Sequence, residues 1–220
     1  MKKLARLALA ATVLTVAAPA SADIIFTSNL TNDQENLIVN GQRVPVVPTL
    51  TNGAPRPASF GNATLVLNDA QTALTYRINV FNIDFTGTQT ADTNDNLTLA
   101  HIHGSATLTP QTNAGVVFGF IGTPFNETAP RDVIVTPFTD AVGGIVTGKW
   151  DALEGNNTTL TAQLDNLFAG RTYLNFHTSQ FPGGEIRGAI RVPEPPAWAM
   201  MIGGVMLLGA LRGRRRLLPA

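Results

Sequence analysis

Along most of this chain apolar residues recur at every second position in short runs, and glycine, asparagine, aspartate and proline separate the runs. Two-residue alternation puts successive side chains on opposite faces, so each run reads as a strand with one apolar face. The alternation predicts strands at 24–28, 63–67, 73–81, 97–103, 115–121, 144–150, 159–164, 171–177 and 185–192, with a single helical turn at 165–169. Residues 31–57 carry Pro45, Pro48, Pro55 and Pro57 and read as a long irregular connection. There is no long segment of 3.6-residue apolar period, no convincing internal repeat and no second domain. The expected fold class is therefore all-β, an antiparallel sandwich or barrel.

The two ends break the pattern. Lys2, Lys3 and Arg6 precede an apolar run from Leu7 to Ala18 and a small-residue site Ala20-Ser21-Ala22. That order is a secretory signal peptide over residues 1–22, cut by signal peptidase after Ala22. At the other end, residues 193–220 begin Pro193-Glu194-Pro195, continue as an apolar run from Ala197 to Leu211 and finish in a basic cluster. A 15-residue helix rises about 22 Å against a hydrocarbon core of about 30 Å. Such a short anchor needs Trp198 at one interface and snorkelling arginines at the other. Arg212, Arg214, Arg215 and Arg216 belong on the cytoplasmic side by the positive-inside rule.

This tail resembles the PEP-CTERM sorting signal of Gram-negative bacteria. The resemblance implies an exported protein held transiently in the inner membrane, cut by an exosortase-type enzyme and passed to the cell surface or extracellular matrix. Exopolysaccharide or other surface proteins are then the expected partners.

Removing both ends changes the charge. Residues 23–192 hold eight Lys or Arg and fourteen Asp or Glu, a net of 8 − 14 = −6, where the whole chain is neutral. An acidic body argues against nucleic acid as a partner, since that requires clustered cations. The chain has no cysteine, so its core alone must stabilise it outside the cell. The six Asn-x-Ser/Thr sequons reflect a Thr- and Asn-rich composition in a bacterial setting.

All three histidines fall in two segments: Leu99-Ala100-His101-Ile102-His103-Gly104-Ser105-Ala106, and Tyr173-Leu174-Asn175-Phe176-His177-Thr178 followed by Phe181-Pro182-Gly183-Gly184-Glu185-Ile186-Arg187-Gly188. His101 and His103, at i and i+2, share a strand face. Folding 171–178 against 185–192 across the Pro-Gly-Gly turn is expected to bring His177 and Glu185 onto one face. His101, His103, His177 and Glu185 are then a candidate site for Zn²⁺ or Cu²⁺. The alternative is architectural: the histidines hydrogen-bond neighbouring loops and lock one end of the sandwich.

The same two segments resemble the "AHIHG" and closing hairpin motifs of the CHRD (chordin-type) domain, over a span from Ile24 to Arg191. What the resemblance implies is an extracellular, immunoglobulin-like β-sandwich acting as a binding or structural module, with no catalysis. A longer segment after Leu30 and an insert around residues 124–137 depart from the usual pattern.

An enzyme reading comes from the His-x-His pair, which is similar to that of Cu/Zn superoxide dismutase. That two-metal site needs more than three histidines and a disulfide that this chain cannot form. Asp92-Thr93-Asn94-Asp95-Asn96 begins like a calcium loop, but Leu97 and His103 stand where an EF-hand needs Gly and Glu. No thiol nucleophile, G-x-S-x-G elbow or phosphate-binding Gly-rich loop is present. Tyr76, Tyr173, Trp150 and the phenylalanines are expected in the core.

Overall fold

The computed structural model describes residues 22–193. The signal peptide as far as Ser21, and the sorting tail from Glu194 with its anchor residues, lie outside the described residues. Among the described residues no helix is long and apolar enough to cross a membrane.

Among the described residues eleven strands follow in chain order: β1 Ile24–Thr31, β2 Leu37–Val39, β3 Gln42–Val44, β4 Phe60–Leu67, β5 Ala73–Phe81, β6 Leu97–Gly104, β7 Val116–Ile121, β8 Ile134–Pro137, β9 Gly143–Asp151, β10 Thr172–Thr178 and β11 Ile186–Ala189. A helix, α1, spans Leu160–Phe168. Nine of the strands form one antiparallel sheet in the order β7-β6-β10-β11-β1-β4-β5-β9-β8. The expected sandwich is present in shape, but its layers are continuous. β1 pairs in full register with β4 and touches β11 only through Thr31↔Arg187 and an isolated Thr27↔Arg191 bridge, so the sheet curls at this seam.

The curl brings the β7 edge over β5 and β9. Phe118 of β7 stacks on Trp150 of β9 at 4.9 Å, and Phe120 packs against Tyr76 of β5 at 5.1 Å and Phe176 of β10 at 6.1 Å. Between the layers lie Phe26, Leu65, Leu74, Ile78, Ile102 and Leu174, all fully buried. Each such side chain contributes about 1.5–3 kcal/mol by leaving water. Trp150 spends its one polar group well, with Nε1–H donating to the Glu154 carbonyl at 2.7 Å.

Three sequence expectations need correction. The strand expected at 159–164 is the start of α1. Thr159 is extended and its hydroxyl accepts from the Ala162 N–H, an N-cap, and Leu160 and Leu167 then meet the core from one helix face. The connection at 31–57 contains the β2–β3 hairpin, turned by Asn40 and Gly41 at φ 50° and 75°, the pair of positive values a tight two-residue turn requires. β8, unforeseen, pairs with β9 as an edge strand ending at Pro137.

Candidate metal centre

β6 and β10 are adjacent and antiparallel, with Tyr173 opposite His103 and Asn175 opposite His101. Paired residues share a face. Ala100, Ile102, Leu174 and Phe176 therefore point into the core, while His101, His103, Tyr173, Asn175 and His177 line the outer face. An outer face ordinarily meets water, yet every residue of β10 is buried. Loops cover it.

The β6–β7 loop covers His103, the β10–β11 turn covers His177, and the segment after β7 covers His101. Gly119 permits the last of these, since a Cβ there would collide with the Pro124 carbonyl and come within 3.1 Å of the His101 ring. Paired bonds between Gly119 and Asn126 fix that segment: Asn126 N–H donates to the Gly119 carbonyl, and Gly119 N–H to Asn126 Oδ1. The three histidines converge beneath the covers. Their ring centroids are 5.1, 5.7 and 6.1 Å apart, and one nitrogen of each lies within 4.8 Å of the other two.

Hydrogen bonding sets the tautomers. His103 Nδ1–H donates to the Ala114 carbonyl and His177 Nδ1–H to the Pro182 carbonyl, both at 2.9 Å. A carbonyl can only accept, so the proton sits on Nδ1 and each Nε2 presents a lone pair. Neither Nε2 has a partner, and neither nitrogen of His101 has one. The Thr123 carbonyl raises the basicity of His101 slightly without forming a hydrogen bond of good geometry.

The rings are held neutral. Burial lowers the His101 pKa to about 3, helped by His177 and His103. Burial also lowers His103 to about 4, against the Ala114 carbonyl, and it lowers His177 against the Pro182 carbonyl. With 2, 8 and 5 % of their surfaces exposed, His101, His103 and His177 are buried, and they are unprotonated near neutral pH.

Glu185 does not join them. It lies at a bend ahead of β11, so the strand alternation that would have turned it toward His177 does not yet apply. Its fully buried carboxylate is taken up by Arg56 Nη2 at 2.5 Å, the Thr178 hydroxyl at 2.6 Å and the Ser59 hydroxyl. The calcium candidate is likewise committed elsewhere. Asp92 accepts from the Thr51 N–H and hydroxyl and from the Asn94 N–H, and Asp95 accepts from Thr90. Among the described residues the three histidines are the one group of three or more His, Cys, Asp or Glu close enough together that it could hold a metal.

Sequence reasoning missed what surrounds the centre. Tyr173 lies flat on His103, with centroids at 4.8 Å and planes 4° apart, and Arg187 stacks on the other face of Tyr173 at 3.6 Å. Both belong to the closing motif, at positions whose alternation placed them on the histidine face. Asn175, buried between the histidines and Glu35, leaves its Oδ1 unpartnered.

A curled antiparallel sheet with a loop-covered polar outer face defines an all-β domain whose two signature segments build one end. The model of the CHRD domain family matches residues 26–190, and the chain belongs to that family. No curated protein and no solved structure matches it.

Proposed function

We propose that this CHRD domain is an exported binding module, not a catalyst, whose three histidines hold a single zinc or copper ion. The observation that carries the reading is the pair of Nδ1–H···O=C bonds, which leave unpartnered Nε2 lone pairs close to one another in a buried site. Orienting bonds of this kind on the second ring nitrogen characterise metal-ligating histidines. A tetrahedral Zn–N bond of about 2.0 Å places three nitrogens about 3.3 Å apart, so ring movements on the order of 1 Å close the present spacing of up to 4.8 Å. With Glu185 committed to Arg56, the protein offers three neutral nitrogens, and an external ligand completes the sphere.

A second reading, that the histidines are architectural, is favoured by the same two bonds because they pin loops. It does not account for buried nitrogens that pin nothing. Export rests on the terminal segments, and Zn or Cu on the chemistry of the donors.

The test is plasma mass spectrometry of the full-length protein, made without an affinity His-tag and loaded with Zn²⁺ or Cu²⁺. About one metal per chain is expected, and far less in His101→Ala/His103→Ala. Equal metal in the variant, or none in either, would sink the metal reading; an uncut chain in the cytoplasm would sink export.

A further inference from the structure

We infer that the cavity beside Tyr173 binds a carboxylate-bearing sugar, a uronate residue. This site adjoins the histidine centre through Tyr173 and Arg187 and does not require a metal there. The body holds eight Lys or Arg against fourteen acids, yet three of the eight, Arg43, Arg187 and Arg191, line one cavity of about 250 Å³ with Asp33 as its one carboxylate.

Among the described residues the ion pairs are Arg56–Glu185 and Lys149 with Asp132 and Asp151. No carboxylate therefore lies within 4.0 Å of any of the three cavity arginines. Arg187 is the sharpest case. It is 4 % exposed, and its guanidinium donates only to neutral groups: the Thr112 carbonyl at 3.0 Å, the Asn113 amide oxygen at 3.1 Å and the Thr109 carbonyl at 3.5 Å. The buried Glu35 carboxylate acts on Arg187 and Arg43 only from beyond ion-pair distance, so an anion seated in the cavity would supply the contact partner that neither has. Arg43, whose Nη2 donates to the Asp33 carbonyl, and the exposed Arg191 are the other positive groups at the same opening.

The remaining chemistry selects the occupant. The volume lies below the roughly 300–1,000 Å³ of sites for drug-sized ligands, which restricts it to about one sugar ring. Gln111 on the lining offers an amide for hydroxyls, and Gln34, whose Nε2 donates to the Asn29 carbonyl and the Thr31 hydroxyl, offers its amide oxygen. Tyr173 cannot act as a stacking platform, since His103 and Arg187 occupy its faces. Recognition thus falls on the charged group, where Arg forks suit a carboxylate, with hydroxyls read at the rim.

The experiment is calorimetric titration of the metal-free full-length protein with galacturonate, galactose and inorganic phosphate. Galacturonate is expected to bind, galactose not to, and Arg43→Ala/Arg191→Ala to weaken galacturonate about tenfold or more. Both substituted side chains are exposed, so the fold persists, which far-UV circular dichroism checks. No binding of galacturonate, equal binding of galactose, or affinity unchanged in the double variant overturns the proposal. Phosphate binding as tightly as galacturonate overturns the sugar assignment. Using metal-free protein keeps failure here distinct from failure of the metal reading.

Discussion

His177 and Glu185 sit at opposite ends of one short turn, and the sequence pattern assigns them to one site, yet their surroundings are opposites. Every oxygen of Glu185 is met by a protein donor. His177 and its two companions leave four ring nitrogens without a partner under equally complete cover. Buried polar groups in folded proteins are overwhelmingly satisfied, because an orphaned one costs about 1–3 kcal/mol. The Glu185 cluster therefore explains itself as structure, fastening the 45–59 segment to the β10–β11 turn. The histidine cluster is accounted for in this way only at its two Nδ1–H groups, and the proposed metal would satisfy the remaining nitrogens.

Acid gives the largest test of that contrast. The folded pKa values of His101 and His103, about 3 and about 4, are depressed below the ordinary 6.5, and that of His177 is depressed too. Below pH 6.5 the unfolded chain takes up protons that the native rings refuse. Stability is thus intact above about pH 6.5 and falls as pH drops toward the folded values, by up to about 1.4 kcal/mol per pH unit for each histidine. Urea unfolding of metal-free protein at pH 7, 6 and 5 should show midpoints falling in step, and His101→Gln should flatten the slope. An unchanged slope in that variant would remove the histidines as the acid-sensitive element.

The satisfied cluster should fail differently. Arg56→Met leaves the Glu185 carboxylate buried against two hydroxyls and no cation, and breaking a buried pair from one side costs about 3–5 kcal/mol. Chemical denaturation should register that loss at neutral pH, while the folded fraction still takes up one metal. Loss of metal with retained stability would show that the two clusters are one unit after all.

How much of this was legible depended on distance along the chain. The strand at Ala73–Phe81 and both histidine strands follow from alternation, and the i, i+2 spacing alone put His101 and His103 on one face. His177 joined them because the second motif is itself a strand beside the first. Glu185 departs from the expected site because its partner, Arg56, lies 129 residues earlier in a proline-rich stretch that carries no period. Two elements do carry a local signal of their own. Leu160, Leu164, Leu167 and Phe168 have helical spacing behind the Thr159 cap, and Asn40-Gly41 between Leu37–Val39 and Gln42–Val44 is a hairpin signal. The covering loops, and with them the burial that makes the histidines chemically interesting, depend on contacts no alternation records.

The smallest expected effect falls on the boundary between the metal centre and the arginine cavity. Tyr173 offers a ring to both and a hydroxyl that accepts the Ala114 N–H at 3.3 Å. Tyr173→Phe keeps the ring, so the stack on His103 and the contact with Arg187 survive. It removes one long hydrogen bond, worth about 0.5–1.5 kcal/mol net. The His103 Nδ1–H bond goes to the carbonyl of the same Ala114, so a loosened loop would disturb the tautomer as well. If the ring is what holds His103, metal affinity should stay within about twofold of the parent while the thermal midpoint drops by a few degrees. If the loop is what holds it, affinity should fall about tenfold, the usual scale for losing an outer-sphere partner. Metal competition titrations on this one variant separate positioning by the stacked ring from positioning by the cover.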